Sequence, residues 1–590
     1  MAAPRIIVVG GGLAGLAAVI KIAEAGGSVD LFSIVPVKRS HSVCAQGGIN
    51  AAKNLKGEGD TTWKHFDDTV FGGDFLANQT PVKAMCEAAP AIIDLLDRMG
   101  VTFNRTPEGL LDFRRFGGTL YNRTAFAGAT TGQQLLYALD EQVRRHESEG
   151  KVRKFEGWEF LSAVVDSKGV ARGITALDLR TMELRSFAAD AIILATGGIG
   201  AIFGKSTNSV VCTGSAQSAV FQQGVTYANG EFIQVHPTCI PGEDKLRLMS
   251  ESARGEGGRV WVPRTPGDKR PVKQIPESER FYFLEEWYPK YGNLVPRDIA
   301  TRAIHKVVYE NHLGIDGQPM VYLDLTHIDR ATLDRKLGGI LDIYEKFVGD
   351  DPHDVPMKIF PGVHYTMGGL CVDFNQMTNI PGLFAIGECE YQYHGANRLG
   401  ANSLLSCIYA GFISGPNALS YSKNAAAQDG DGGHAAEVTR QAAINAKLLK
   451  NEGAENPFKL WRELGDTMTK HATVIRYNKG LKQADEKIVE LLDRYKNVSL
   501  ADRSQWANTS FAFARQLKNM LELARVIAQG ATLRDESRGA HYKPDFPERN
   551  DERFLKTTKA SFTDSGPRFE YEEVDTQFIK PRPRRYDAAN

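Results

Sequence analysis

The sequence predicts an α/β fold: a Rossmann-like domain interrupted by an α+β capping insertion, then a helical bundle domain and a polar C-terminal tail. Three observations predict it. A β-branched run near the N-terminus leads straight into a glycine-rich turn and a helix-forming segment. Two apolar runs far along the chain end in the same strand-then-glycine manner. Over residues 437–535 the text changes to Ala, Leu, Lys, Glu and Arg with almost no proline.

The elements follow in order. Ile6-Ile7-Val8-Val9 reads as a buried strand. Gly10-Gly11-Gly12-Leu13-Ala14-Gly15 comes next, then a helical segment at 16–25 and a second strand at 28–32. In this opening βαβ unit Gly10 permits the tight turn and Gly12 lets backbone approach a pyrophosphate. Gly15 lets the helix pack close to the strand, and the helix N-terminus attracts the anion. Leu13 and Ala14 belong to the same turn. An acid usually ends the second strand and meets the ribose hydroxyls. Here Asp30 lies inside the strand and Ser33 takes the terminal position, which leaves the ribose partner open.

Residues 191–194 run into Ala195-Thr196-Gly197-Gly198, and residues 382–386 into Gly387-Glu388. Three such strand ends, spread this widely, imply one sheet interrupted by a large insertion. That arrangement suits FAD better than NAD, because an FAD-binding domain gathers its contacts from distant parts of the chain. The expected boundaries are 1–237 for the first part of the FAD-binding domain, 238–352 for the cap, and 353–436 for the second part. The cap holds a Pro-rich, charged stretch at 262–280 and helical periodicity at 298–309. Residues 422–433 read as a linker. In the helical domain, 437–535, Leu481, Ile488, Leu491 and Leu492 have amphipathic spacing. The tail, 536–590, ends in KPRPRR at 580–585, read first as a solvated extension and second as a docking segment for another subunit.

Composition narrows the function. Lys plus Arg (71) equals Asp plus Glu (71), so the bulk basic excess of a nucleic-acid binder is absent. The seven cysteines include no C-x-x-C pair, which argues against a disulfide framework, a zinc knuckle, a dithiol flavin reductase or an iron–sulfur cluster held by this chain alone. No apolar run approaches the roughly 20 residues needed to cross a bilayer, and the N-terminus predicts no export signal. Membrane association is therefore expected through a partner, from a reducing, cytosolic setting.

Six further segments carry a resemblance. They are RSHSVCAQGGIN at 39–50, QVHPT at 234–238, SESARGEGG at 250–258, PRD at 296–298, HYTMGG at 364–369 and NRLGANSL at 397–404. In this order they resemble the flavoprotein subunits of succinate dehydrogenases and fumarate reductases. The spellings at 31–39 and 250–258 are most similar to the branch paired with a di-haem cytochrome b membrane anchor.

The resemblance implies covalent FAD joined through His41, with Ser40, Ser42, Gln46, Gly47, Gly48, Ala195, Thr196, Gly197, Glu388, Ser403 and Leu404 around the cofactor. It implies a dicarboxylate gripped by His236 and Ser250 at one end and by His364 and Arg398 at the other. A diacid needs cationic or donating groups at both ends, so the residue types suit the task. Ser250 stands where many relatives have Thr, and the hydroxyl survives. Flavin N5 takes a hydride, and Arg297 matches the family's proton-transfer residue. An arginine is a poor base at its ordinary pKa, so it needs a buried relay, for which Glu251 and Arg254 match. The implied assembly adds an iron–sulfur subunit and a cytochrome b anchor at the cytoplasmic face of the membrane. TGSA at 213–216 departs from the Gly-Asp-Gly of many relatives and loses one acidic flavin contact.

His394 is a weaker flavin-contact candidate, and the remaining histidines are expected to be solvated or locally satisfied. Cys44 is expected to be a small packing residue. One rival reading is an L-aspartate oxidase, whose relatives lack the attaching histidine. The other, a flavin-binding interaction or RNA-modification protein, has no need of His236, Arg297, His364 and Arg398.

Overall fold

The computed structural model describes residues 4–586 apart from 241, 243–244, 316–317 and 426–431; those last six, inside the expected linker, lie outside the described residues. Arg5–Val9 forms the central strand of a five-stranded, all-parallel sheet. Its order is Leu383–Ala385, Ala191–Leu194, Arg5–Val9, Ser28–Ser33, Val152–Glu156. Ile6 to Val9 are buried, as befits a parallel strand covered on both faces. The Ala-rich helix Leu13–Glu24 packs beneath the sheet against the long helix Asn402–Asn424. The carboxyl ends of three strands therefore meet at Gly10, Ala195 and Ile386, where an open α/β sheet binds its ligand.

A second sheet of six strands lies over that edge, in the order Arg247–Leu248, Ile233–Ile240, Met357–Thr366, Val321–Asp324, Arg259–Pro263, Arg280–Phe281. Its strand Ile233–Ile240 runs through the expected 237/238 boundary and pairs antiparallel with Met357–Thr366. The ladder shifts register between Gln234 and Val235 and again between His236 and Cys239. Such irregularities re-aim side chains, and this one brings the His236 and His364 rings to 5.0 Å. Helix Arg297–His305 packs on the same strand, and a π-helical turn, Lys306–Glu310, continues it.

The helical region comprises His434–Lys450, Pro457–His471, Asn478–Tyr495 and Thr509–Leu533. Leu481, Ile488 and Leu491 are fully buried and Leu492 partly so. Asn456 caps the second of these helices through Phe458 and Lys459, with Pro457 at its first position. Among the described residues, no helix is long and apolar enough to cross a membrane.

The tail corrects the expectation of a solvated extension. Lys556–Ser561 and Arg568–Glu573 form a hairpin that adds to the strand Tyr227–Ala228. Beyond it the chain runs back across the molecule: Arg582 pairs with Asp67, and Arg584 pairs with Asp298, a carboxylate that is itself buried. A basic string reads as surface, and Arg582 is indeed exposed, but the buried Asp298 needs the countercharge that Arg584 supplies.

Candidate active site

Two adjoining cavities, one larger than the other, open at the carboxyl edge of the parallel sheet and share His41, Ser42, Glu388 and Cys407 as a common wall. Gly10, Gly12, Leu13, Ala14, Ser33, Ser40, Ala195, Thr196 and Gly197 line the smaller one. At Gly10 the backbone has φ +118°, and an added Cβ would lie 2.1 Å from the Ala195 carbonyl. Gly15 lies below the cavity, where a Cβ would strike the Gly10 carbonyl at 1.9 Å. The turn and the helix contact thus both exclude a side chain. Gly12 supplies no side-chain cap to the helix Leu13–Glu24, whose first residues Leu13 and Ala14 line the cavity. Ser42 Oγ accepts from the Leu13 N–H at 3.3 Å.

His41 begins the 3₁₀ turn His41–Cys44. The Ser209 N–H donates to its Nδ1 at 3.1 Å, and Asn208 Nδ2 lies 3.2 Å from Nε2. Packing, then the Lys245 ammonium, push its pKa down to about 4, so the ring is neutral. Glu388 is buried, and burial pushes its carboxyl up to about 7. The Thr366 N–H donates to it at 3.1 Å. Cys44 is exposed at the rim of the larger cavity, and does not pack as expected. His394 lines neither cavity and meets Ser406 Oγ at 3.1 Å.

The larger cavity gathers Gln46, Gly47, Gly48, His236, Ser250, Glu251, Arg297, His364, Arg398, Ser403 and Leu404. His236 Nδ1 accepts from the Thr238 N–H at 3.2 Å, which leaves the proton of the neutral ring on Nε2, a buried donor without a partner. Burial, then Arg297, hold this histidine well below its ordinary pKa. His364 Nδ1 lies 2.7 Å from Thr207 Oγ1, and its pKa is depressed in the same way. Ser250 Oγ lies 2.8 Å from Ser252 Oγ.

Glu251 ties two arginines together: Arg297 Nε donates to Oε2 at 2.8 Å and Arg254 donates to Oε1 at 2.6 Å. Burial pushes this carboxyl up, but the two guanidinium groups outweigh it and hold it ionised. Arg254 stands behind Glu251, donating to the carbonyls of Asn293 and Val295. Arg398 lies over the Tyr365 ring at 4.4 Å, its Nε unpartnered. Burial, then repulsion from Arg297, push its pKa down to about 9. Among the described residues, Glu251 is the sole carboxylate ion-paired with these three arginines, which leaves two positive charges unmatched.

The sequence reading gave Gln234 no role. Its Oε1 accepts from Arg297 at 2.9 Å and from Arg398 at 3.0 Å, so it sets the spacing of the two cations. The signal was available: Gln234 stands two residues before His236, on the same strand face. Glu159 was missed outright. It lines the smaller cavity, burial pushes it up to about 7, and Gln516 donates to one oxygen at 2.8 Å while the other has no partner. Nothing in its local sequence marks it.

The FAD binding domain family matches residues 5–404, and the fumarate reductase flavoprotein C-terminal family matches 461–586. Over 99% of both chains, the sequence is 63% identical to the succinate dehydrogenase flavoprotein subunit of Bacillus subtilis. The chain belongs to the succinate dehydrogenase and fumarate reductase flavoprotein family. It is 35% identical to the fumarate reductase flavoprotein subunit of Haemophilus influenzae, over 99% of this chain and 96% of that one. An E. coli quinol fumarate reductase flavoprotein superposes with TM-score 0.92 at 32% identity, covering 100% of this chain and 99% of the other. The cleft fits the FAD of this flavoprotein family. The glycine turn offers the anion site, and Ser40 Oγ, Gln46 Oε1 and Thr196 Oγ1 are buried polar atoms without partners along it.

Proposed function

We propose that this flavoprotein subunit interconverts succinate and fumarate, with FAD held covalently through His41, in a succinate:quinone oxidoreductase. One observation carries the reading: two unmatched positive charges face a cavity that also holds an orphaned donor, as a dianionic four-carbon acid requires. His236 Nε2–H and Ser250 Oγ bind one carboxylate; His364 and Arg398 bind the other. Bound FAD supplies the hydride acceptor. Gly10, Gly12 and the start of the following helix hold its pyrophosphate, Ser33 and Glu159 offer polar contacts further along, and Glu388 and Gln46 border the flavin.

Arg297 moves the proton. Fixed by Glu251 and Gln234, its guanidinium gives a proton to carbon in fumarate reduction and takes one in succinate oxidation. Glu251 and Arg254 connect it inward. Burial, and after it repulsion from the neighbouring Arg297 guanidinium, lowers the pKa of Arg254 and of Arg398 beside it. Residues 238–352 act as the cap over this site. The partners are an iron–sulfur subunit, which takes electrons singly, and a cytochrome b anchor at the cytoplasmic face of the membrane. Two measurements test the proposal. Flavin fluorescence should stay on the acid-precipitated polypeptide, and release of all flavin into the supernatant would refute the His41 bond. Succinate should reduce an artificial acceptor dye, with malonate competing; absence of that activity in flavin-loaded protein would refute the substrate.

A further inference from the structure

Residues 575–586 of the C-terminal segment run into the polar scaffold of the active site. Asp575 Oδ2 accepts from the Thr80 N–H at 2.9 Å, and Gln79 Oε1 accepts from the N–H groups of Phe578 and Ile579. Arg582 makes a bidentate pair with Asp67 at 2.8 Å. Arg584 then makes a second, buried one with Asp298, at 2.6 and 3.0 Å. Tyr586 is buried against Tyr291 and Phe71.

Asp298 is the chain neighbour of Arg297, in the first turn of the helix Arg297–His305. Its Oδ1 also accepts from Asn397 Nδ2 at 3.1 Å. Asn397 Oδ1 in turn accepts from Gln234 Nε2 at 2.9 Å, and Gln234 Oε1 holds both Arg297 and Arg398. The path from the tail to both cations is thus four side chains long, and each link is a hydrogen bond or ion pair.

We propose that Arg584 is a positioning residue: by neutralising Asp298 it keeps this path in register and holds Arg297 and Arg398 at their working separation. Without it Asp298 becomes a buried carboxylate short of its main countercharge. Arg302, whose nearest nitrogen is 3.9 Å from Asp298, is the ion-pair partner left to it among the described residues. A displacement of about 1 Å at a reacting group costs on the order of a hundredfold in rate.

The proposal rests on the assignment of Arg297 and Arg398 to chemistry and substrate, so Arg297→Gln accompanies the test in the assembled, flavin-loaded enzyme. Arg584→Ala should lower kcat for succinate oxidation roughly ten- to a hundredfold with covalent flavin content unchanged. Arg584→Lys should recover part of the loss. The double variant Arg584→Ala with Asp298→Asn should recover more, because the stranded charge is gone. Arg582→Ala, which removes only the outer exposed pair, should stay within about twofold of wild type. A purely structural strap would lower the unfolding temperature of Arg584→Ala while leaving kcat per flavin unchanged, and that result overturns the inference. So does a double variant no better than Arg584→Ala. If Arg297→Gln itself keeps full turnover, the catalytic reading fails instead, whatever Arg584→Ala does.

Discussion

Two clusters of three buried arginines lie in this molecule, and they are built on opposite principles. Around Arg534, at the base of the tail, the charges are matched. Arg534 donates to Glu231, Glu536, Thr558 and two backbone carbonyls. Arg538 donates to Glu536, Asp551 and the Asp74 carbonyl, and Arg476 to carbonyls and to His541. No guanidinium nitrogen there lacks a partner. Around Arg297, Glu251 pairs with Arg297 and Arg254 but not with Arg398, Arg398 Nε and His236 Nε2 have no partner, and a cavity adjoins. Burying an uncompensated charge is costly, and this excess of positive charge is what supports the proposal that the second cluster binds a dianion. Buried arginine alone identifies neither role; the count of countercharges does.

The comparison can be broken in order of expected effect. Arg297→Gln should cut succinate oxidation by about a thousandfold or more, the scale of lost proton transfer, with flavin absorbance and unfolding temperature near wild type; turnover within a few-fold would take Arg297 out of the mechanism. Arg534→Ala should do the reverse. It should lower stability by about 3–5 kcal/mol, because Glu231 and Glu536 lose a buried partner, while folded enzyme turns over normally; denaturant unfolding and kcat per flavin decide this. Arg398→Ala should raise KM for succinate roughly ten- to a hundredfold, from the loss of a hydrogen bond to a charged group of about 1.5–3 kcal/mol. The smallest effect is in pH. Arg398, facing Arg297, Tyr365, Glu388 and Glu251, has its pKa pushed down to about 9. The protonated form binds the dianion, so malonate inhibition should weaken as pH rises through 9. Inhibition unchanged as pH rises through that range would show that Arg398 does not lose its proton there.

Much of this was legible without coordinates. The glycine turn at 10–15 and the strand ends at Ala195 and Gly387 declared the parallel sheet, because backbone approach leaves a mark in residue type. The helical domain declared itself through the spacing of Leu481, Ile488 and Leu491. The tail misled, since Arg582 and Arg584 carry no sign of where their counter-ions lie. Glu159 was silent for a similar reason: a carboxyl takes its role from what is packed around it.

By itself, then, the sequence determined the main elements and the glycine turn, because periodicity and glycine placement are local properties. Tertiary structure decided which charges are matched. Desolvation and Coulomb attraction depend on distances between residues as remote as Asp298 and Arg584, and those distances exist only in the folded chain.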